Sequence, residues 1–482
     1  MEIWNKRKTF IIIIISLFFV LSLGSFGLSI YSHNIDVQYE KQRLAEEAKS
    51  IEFEKLKQQL VEQERLDAIN SSITKRIISI DGTGIDIPTE GKAVFADLTE
   101  MKIKLINNGK IEQELNILAK GKEGSRYETP IGVYKVLTKE VSHPVSIGNI
   151  YMPYSMQFFG NFFIHGMPHY ANGVNIRDGD SGGCIRLSNE NSKIVFDFVK
   201  IGTPVFIIEP EKGQDTVAIV ESFHKDFSSI SVFPEVDASS YVVADIDTGF
   251  VFAEKSSKEK MPISSLANIM TAVISDEIYR DDRKVPVNIS GDHAGLNYDM
   301  EKGDVLTITQ MLRPLLIGGK DVAGDSIAHS AGKSMFIGLM NIKAKALKMS
   351  DTKFSDVISK NPENVSTASD MFRLVSYFYR KHSYLSKVTT VKSYKIDESF
   401  SHKSYSWTNN STLLDQSVLM TQHGETEDLK HVATSIFNVP INGKDRKVAV
   451  VILGSSSKDE DTLSLVNWLK DTYKSQELGV NY

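Results

Sequence analysis

The sequence contains a single cysteine, and the residues near it could support acyl transfer. Cys184 lies in a glycine-rich turn, where small residues let backbone N–H groups approach a developing oxyanion. His165 stands nineteen positions earlier, at the end of an apolar run. A thiolate is the nucleophile in acyl transfer, and a nearby imidazole can take up and return its proton. Unrelated Cys and His residues also occur together by chance, so the pair alone leaves a buried, inert thiol open.

The residues around the pair extend it into a longer pattern. Its segments are Thr129-Pro130-Ile131-Gly132, Met152-Pro153-Tyr154, Ile164-His165-Gly166, Ser181-Gly182-Gly183-Cys184 and Ile185-Arg186-Leu187. This pattern resembles the L,D-transpeptidase (YkuD-type) catalytic domain. That family carries an Ile-His-Gly segment, a spacer of similar length, and a Ser-His-Gly-Cys box followed by apolar-Arg-apolar. The resemblance covers residues 92–209 and implies a mostly β domain.

The resemblance also implies a role for each matching residue. Cys184 would be the nucleophile, His165 the general base, and the backbone carbonyl of Gly166 the group that orients the imidazole. The positions implied for the oxyanion and the substrate are Ser181, Gly183, Arg186, Met152 and Tyr154. One position departs from the family's pattern: Gly182 replaces the His of the family's Ser-His-Gly-Cys box. No metal or organic cofactor is implied.

Residues 238–482 resemble a second family, the D-Ala-D-Ala carboxypeptidases (penicillin-binding, serine peptidases), through scaffold segments at 269–272, 340–344, 349–354 and 366–371. That family needs a Ser-x-x-Lys motif, and here Ser265 is followed by Asn268. Gly318-Gly319-Lys320 occupies the position of the family's Ser-x-Asn motif. Gln422-His423-Gly424 occupies the position of its Lys-Thr-Gly motif. The implied second site, Ser265, Asn268, Lys320, His423 and Gly424, is therefore degenerate, and the domain is predicted to be inactive. The alternative is that Lys320 serves as a substitute base with His423 assisting.

Periodicity and turn residues predict the elements that position these groups. Short β-prone runs dominate residues 92–209, and Asn107-Asn108-Gly109 is a strong hairpin signal. Residues 238–482 alternate strand and helix patterns, which predicts an α/β domain. Residues 210–237 would connect the two.

The N-terminus predicts a membrane anchor. Lys6, Arg7 and Lys8 precede residues 10–31, which contain no charged side chain and are long enough to cross a bilayer as one helix. The positive-inside rule then predicts a cytoplasmic tail at residues 1–9, with the remainder on the extracytoplasmic face of the cell membrane. A cleaved signal peptide is the alternative. Residues 34–75 are predicted to form a helical stalk.

Composition bounds the function without specifying it. The 482 residues carry 55 Lys plus Arg against 61 Asp plus Glu, a formal net charge of −6, which argues against nucleic acid as a partner. The combined prediction is a multidomain, membrane-anchored L,D-transpeptidase acting on peptidoglycan stem peptides, with other wall-synthesis proteins as further possible partners. Its pseudo-carboxypeptidase domain would serve binding or positioning. The alternatives are a non-catalytic peptidoglycan-binding scaffold and an L,D-carboxypeptidase that trims stems by hydrolysis.

Overall fold

The structure of the protein is a computed structural model. The residues that it describes are 77–79, 86–123, 125, 127–145, 149–176, 181–209, 232–247, 249–289, 300–359, 361–426, 430–441 and 444–472. All of them belong to one compact unit, Ala68–Tyr482.

The first part of this unit consists of strands and one helix. They are β1 (Ile77–Ser79), β2 (Asp86–Pro88), β3 (Lys92–Asp97), β4 (Lys102–Asn107), β5 (Lys110–Asn116), β6 (Gly132–Lys135), β7 (Thr138–Val145), β8 (Ile150–Phe159), β9 (Phe162–His165), β10 (His169–Tyr170), β11 (Ile185–Arg186), α1 (Asn189–Phe198) and β12 (Pro204–Ile208). One sheet has the order β5-β4-β3-β12-β6, and the other has the order β10-β8-β9-β11 with β7 paired to β8. The prediction of a mostly β domain is confirmed.

The hairpin between β4 and β5 forms where the sequence predicts it. Asn108 and Gly109 have φ values of 50° and 74°. Two successive left-handed residues match the twist of the flanking strands, which is why Asn-Gly is favoured in such turns. The apolar residues of both sheets face a shared core that includes Val94, Phe158 and Ile164.

The second part of the unit combines helices with an antiparallel sheet. Its elements are β13 (Ser240–Asp245), β14 (Val251–Lys255), β15 (Met261–Pro262), α2 (Ala267–Ile278), β16 (Lys284–Pro286), β17 (Val305–Thr307), α3 (Ile308–Gly318), α4 (Asp321–Ala331), α5 (Lys333–Ala346), β18 (Val365–Ser366), α6 (Ala368–Lys381), α7 (Ser383–Val388), β19 (Ser393–Ile396), β20 (Tyr405–Thr408), β21 (Val418–Glu425), β22 (His431–Ile441), β23 (Lys444–Ser455) and α8 (Lys458–Thr472). The main sheet has the order β14-β13-β23-β22-β21. Every residue of α2 from Ala267 to Glu277 is buried, so this helix forms the centre of the α/β part.

The predicted membrane anchor is corrected. Among the described helices none has both the length and the apolar character needed to cross a bilayer, so the transmembrane helix and the single-pass localisation are wrong on this finding. The longest described helix, α8, has 15 residues, whereas a membrane span needs about 20. The stretches on which that prediction depended, residues 1–9, 10–31 and the stalk at 34–75, lie outside the described residues.

Candidate active site

The register of two short strands brings the predicted nucleophile and base together. β9 and β11 are parallel, with Ile164 opposite Ile185 and His165 opposite Arg186. Side chains alternate between the two faces of a strand. Cys184 lies in the bend that directly precedes this paired run, and its side chain packs against Phe163, which is two residues before His165 on β9. Sequence segments nineteen residues apart thus meet as neighbours at one sheet edge.

His165 is held as a neutral imidazole. Its ring is 2% exposed, and Nδ1 lies 2.6 Å from the carbonyl oxygen of Gly166. A carbonyl only accepts, so Nδ1 carries the proton and Nε2 keeps the lone pair. Burial lowers the pKa of His165 to about 4; the hydrogen bond to Gly166 raises it, and the positive field of Arg186 lowers it further. The imidazole can therefore accept a proton through Nε2 at neutral pH.

Gly166 occupies a position with no room for a side chain. Its N–H donates to the carbonyl of Pro153 at 2.8 Å. A Cβ on Gly166 would lie 2.5 Å from Oδ1 of Asn189, which accepts a 2.7 Å hydrogen bond from the N–H of Met167. The first residue of α1 thereby holds the segment that orients His165.

The Cys184 thiol is buried and protonated. It is 8% exposed, and its S–H donates to the carbonyl of Asn161 at 3.7 Å. Desolvation raises the pKa of Cys184 to about 11, while a backbone hydrogen bond from Phe163 and the charge of Arg186 act in the opposite direction. At neutral pH the site therefore holds a thiol beside a neutral imidazole. Attack on a carbonyl then requires transfer of the thiol proton to a base as the bond forms.

The loop that carries Cys184 is closed by its own residues. The Ser181 hydroxyl donates to the carbonyl of Cys184, so Ser181 shapes the loop backbone. Gly182 and Gly183 follow with φ values of 65° and 102°. The role of the Gly183 and Cys184 N–H groups as oxyanion donors stays a prediction.

The two residues of β8 that were predicted to contact the substrate lie in different surroundings. Met152 is 8% exposed and packs in one apolar cluster with Phe163 and Cys184. Tyr154 has a φ of 48°, which interrupts the alternation of the strand. Its ring packs 5.7 Å from that of Phe196 on α1. Met152 therefore borders the thiol, whereas the ring of Tyr154 faces the helix.

Two neighbours of the site were not predicted from the sequence. His143 on β7 lies opposite Met152, and its ring centroid is 4.6 Å from that of Phe163. Asn161 accepts the thiol hydrogen through its main chain. A main-chain acceptor leaves no signal in residue type. The alternation of residues 138–159 could have revealed the β7–β8 hairpin that places His143.

Residues of the second predicted site line a small cavity, and Asn268 stands where the family's motif has lysine. Ser265 and His423 line a cavity of about 110 Å³ together with residues 316–319, 408–410 and 422. Asn268 is 0% exposed at the position where the serine peptidases need lysine, and an amide cannot take the serine proton. Burial is the main cause that lowers the pKa of His423 to about 4.

Gly424 and Lys320 lie beside residues that line this cavity. A Cβ on Gly424 would lie 2.7 Å from Oγ of Ser265, so β21 passes directly over the serine. Lys320 precedes α4, and its Cε lies 3.1 Å from where a Cβ on Gly318 would be. Within the described ranges, no group of three or more His, Cys, Asp or Glu side chains is arranged to hold a metal ion.

Two family descriptions match the chain. Residues 91–207 match the L,D-transpeptidase catalytic domain (YkuD), and residues 228–456 match the D-alanyl-D-alanine carboxypeptidase family (Peptidase S11). Both resemblances predicted from the sequence are thereby confirmed. The domain boundaries at 92–209, 210–237 and 238–482 stay a prediction.

The chain is also similar to individual D-alanyl-D-alanine endopeptidases. A D-alanyl-D-alanine endopeptidase of Pseudomonas aeruginosa is 28% identical over 249 residues, which cover 49% of this chain and 78% of the relative. A D-alanyl-D-alanine endopeptidase of Escherichia coli is 31% identical over 147 residues, covering 30% of this chain and 47% of the relative. The chain thus spans about half the length of the E. coli protein.

Proposed function

Because the chain joins an L,D-transpeptidase catalytic domain to a D-alanyl-D-alanine carboxypeptidase domain, two families of peptidoglycan metabolism, we propose that it is a cysteine-dependent L,D-transpeptidase. Its substrates are peptidoglycan stem peptides. The observation that supports the proposal best is the pairing of β9 with β11, which brings Cys184 beside the strand that ends at His165, whose Nδ1 is fixed by Gly166 at 2.6 Å.

The proposed reaction has two acyl-transfer steps. Sγ of Cys184 bonds to the carbonyl carbon of the amide between the diamino acid and D-Ala of one stem. The thiol proton passes to Nε2 of His165 and then to the D-Ala amine as the C–N bond breaks. The side-chain amine of a second stem attacks the thioester, gives its proton to the imidazole, and the sulfur leaves and recovers a proton. Water in place of that amine gives L,D-carboxypeptidase activity.

The carboxypeptidase-like part has no catalytic role in this proposal. Deprotonation of Ser265 needs a basic group, and Asn268 supplies an amide instead. A substitute base at Lys320 is the alternative that the experiment below tests.

The competing function is a non-catalytic peptidoglycan-binding scaffold. The observation in its favour is the burial of the Cys184 thiol, which desolvation holds protonated. A scaffold needs no reactive thiol, whereas a transpeptidase must bring the thiol into contact with its substrate.

Intact-mass analysis of the full chain with a carbapenem tests these proposals. We expect one covalent adduct on the wild type and on Ser265→Ala, and none on Cys184→Ala. A carbapenem also acylates serine peptidases, so an adduct that persists on Cys184→Ala and disappears with Ser265→Ala would place the chemistry in the second site. No adduct on any of the three proteins would favour the scaffold.

A further inference from the structure

A fully buried lysine connects the two family-matched regions. Lys343 on α5 is 0% exposed, and its ammonium lies 2.8 Å from Oε1 of Glu277 on α2. It donates hydrogen bonds to the hydroxyls of Tyr377, at 3.2 Å, and Tyr134, at 2.9 Å. Tyr134 belongs to β6 in the transpeptidase region, whereas the other three residues belong to the carboxypeptidase-like region. The Lys343 ammonium therefore contacts residues of both regions, and these contacts form the junction between them.

The same ammonium faces an aromatic ring at the end of β8. Nζ of Lys343 lies 4.6 Å from the ring centroid of Phe159, which is 0% exposed. A cation is attracted to the face of an aromatic ring, and more strongly where water is excluded. A buried charge is stable only while its partners stay in place. The cluster around Lys343 therefore fixes Phe159 as well as Tyr134.

Phe159 leads into a turn that touches the Cys184 loop. Its ring stacks on that of Phe162, with centroids 6.4 Å apart and planes inclined by 12°. Phe162 fills the space beside Gly183, since a Cβ on Gly183 would lie 2.3 Å from Cε1 of that ring. A continuous line of packed groups therefore runs from Lys343 to the residue that precedes the nucleophile.

The turn is attached to the carboxypeptidase-like part a second time, at the last residue of α2. A Cβ on Gly160 would lie 3.3 Å from Cγ2 of Ile278. The side-chain amide of Asn161 donates to the carbonyl of Ile278 at 3.4 Å. The main-chain carbonyl of Asn161 accepts the thiol hydrogen of Cys184. Residues 160–162 thus contact both α2 and the Cys184 loop.

We propose that Lys343 is a positioning residue for Cys184, acting through Phe159 and Phe162. The inference rests on the proposed function and extends it, because it assigns the carboxypeptidase-like part a role in the chemistry of the other domain. That part holds the turn at residues 160–162, and the turn sets the place of Gly183 and the environment of the thiol. This role does not require catalysis at Ser265, because it requires only that α2 and α5 hold the turn at residues 160–162 in place.

The test compares substitutions on one helix. Lys343→Met combined with Glu277→Gln removes both members of the Lys343–Glu277 pair and leaves the neighbouring His382–Asp276 pair in place. Tyr134→Phe removes a single oxygen from the cluster. The matched control is Lys333→Met, also on α5, whose lysine pairs with Asp325 at 2.9 Å and Asp356 at 2.8 Å within the carboxypeptidase-like part. The measurements are melting temperature, the rate of carbapenem acylation, and the pH profile of Cys184 alkylation by iodoacetamide, all on the full chain.

We expect the double variant to acylate at least tenfold more slowly and Tyr134→Phe about threefold more slowly. The alkylation profile of the double variant shifts to lower pH, because a loosened loop admits water to the thiol. Lys333→Met keeps the wild-type rate and profile even if its melting temperature falls. A folded double variant within twofold of the wild-type rate, or an equal loss in Lys333→Met, would overturn the inference; if the double variant does not fold, Tyr134→Phe decides. A wild type that resists the carbapenem refutes the proposed function instead, and the alkylation profiles then decide the inference.

Discussion

At the scale of single residues, the site resembles a poised neutral pair more than a preformed ion pair. The thiol of Cys184 and the imidazole of His165 are both buried, and burial disfavours the charged form of each. Their pKa values move apart in the direction that keeps both groups neutral. The thiol of Cys184, the proposed nucleophile, must therefore give up its proton when it attacks a substrate.

This neutral pair gives a prediction for thiol reactivity. Iodoacetamide reacts with the thiolate, so the alkylation rate follows the thiolate fraction. With a pKa of about 11, the wild-type rate should rise roughly tenfold per pH unit from pH 7 and level off only near pH 11. Alkylation reactions that are quenched at timed intervals and analysed by mass spectrometry measure this rate.

His165→Ala is the control for that measurement. If the imidazole stays neutral above pH 4, its removal leaves the shape of the alkylation profile unchanged while abolishing carbapenem acylation. A wild-type rate that is already level at pH 7, and a rise to higher pH in His165→Ala, would instead indicate a thiolate–imidazolium pair.

At the scale of elements, two adjacent glycines of the Cys184 loop differ sharply in their surroundings. Gly183 has a φ of 102° and no room beside Phe162, whereas Gly182 has a φ of 65° with nothing within 4 Å of its would-be Cβ. Gly183→Ala should therefore lower the free energy of unfolding by about 1–3 kcal/mol, as overpacking does, and slow acylation at least tenfold. Denaturant melts and carbapenem kinetics measure both effects.

Gly182→Ala provides the matched comparison, with a cost of about 1 kcal/mol from its left-handed backbone and little change in acylation. Gly182→His, which restores the family's residue, should fit the same open space. Equal losses in Gly182→Ala and Gly183→Ala would show that the packing of Phe162 does not control the loop.

The elements also show how far the sequence leads. The β4–β5 hairpin was predictable because Asn108-Gly109 encodes its own turn. Helical patterns within residues 238–482 were predictable from apolar spacing, although the observed α2 starts after a 3₁₀ turn at Ser264–Leu266. The helices α1 and α7 were not predicted from the sequence. The packing direction of Tyr154 was not predictable, because it depends on a single positive φ within β8. The membrane span rested on hydropathy alone, and no described helix bears it out.

At the scale of the whole molecule, the proposed catalytic residues could be predicted from sequence patterns, whereas the contacts between the two regions could not. Cys184 and His165 stand in a motif with fixed spacing. Lys343 and Tyr134 are 209 positions apart in the chain, and their contact depends on how α5 meets β6. A lysine in an amphipathic helix ordinarily predicts a solvated side chain, so its burial becomes visible only in three dimensions.

That junction predicts how the described unit unfolds. Separating the two regions would remove the hydrogen bond from Lys343 to Tyr134 and the contact of Lys343 with Phe159, and it would expose apolar residues of the core that both regions share. The regions should therefore unfold together, in one calorimetric transition, and Lys343→Met should lower its midpoint. Lys395→Ala, which removes an exposed pair with Asp397, should leave the midpoint unchanged. Two resolved transitions in the wild type would mean that each region is stable alone, and that the Lys343 cluster does not couple them.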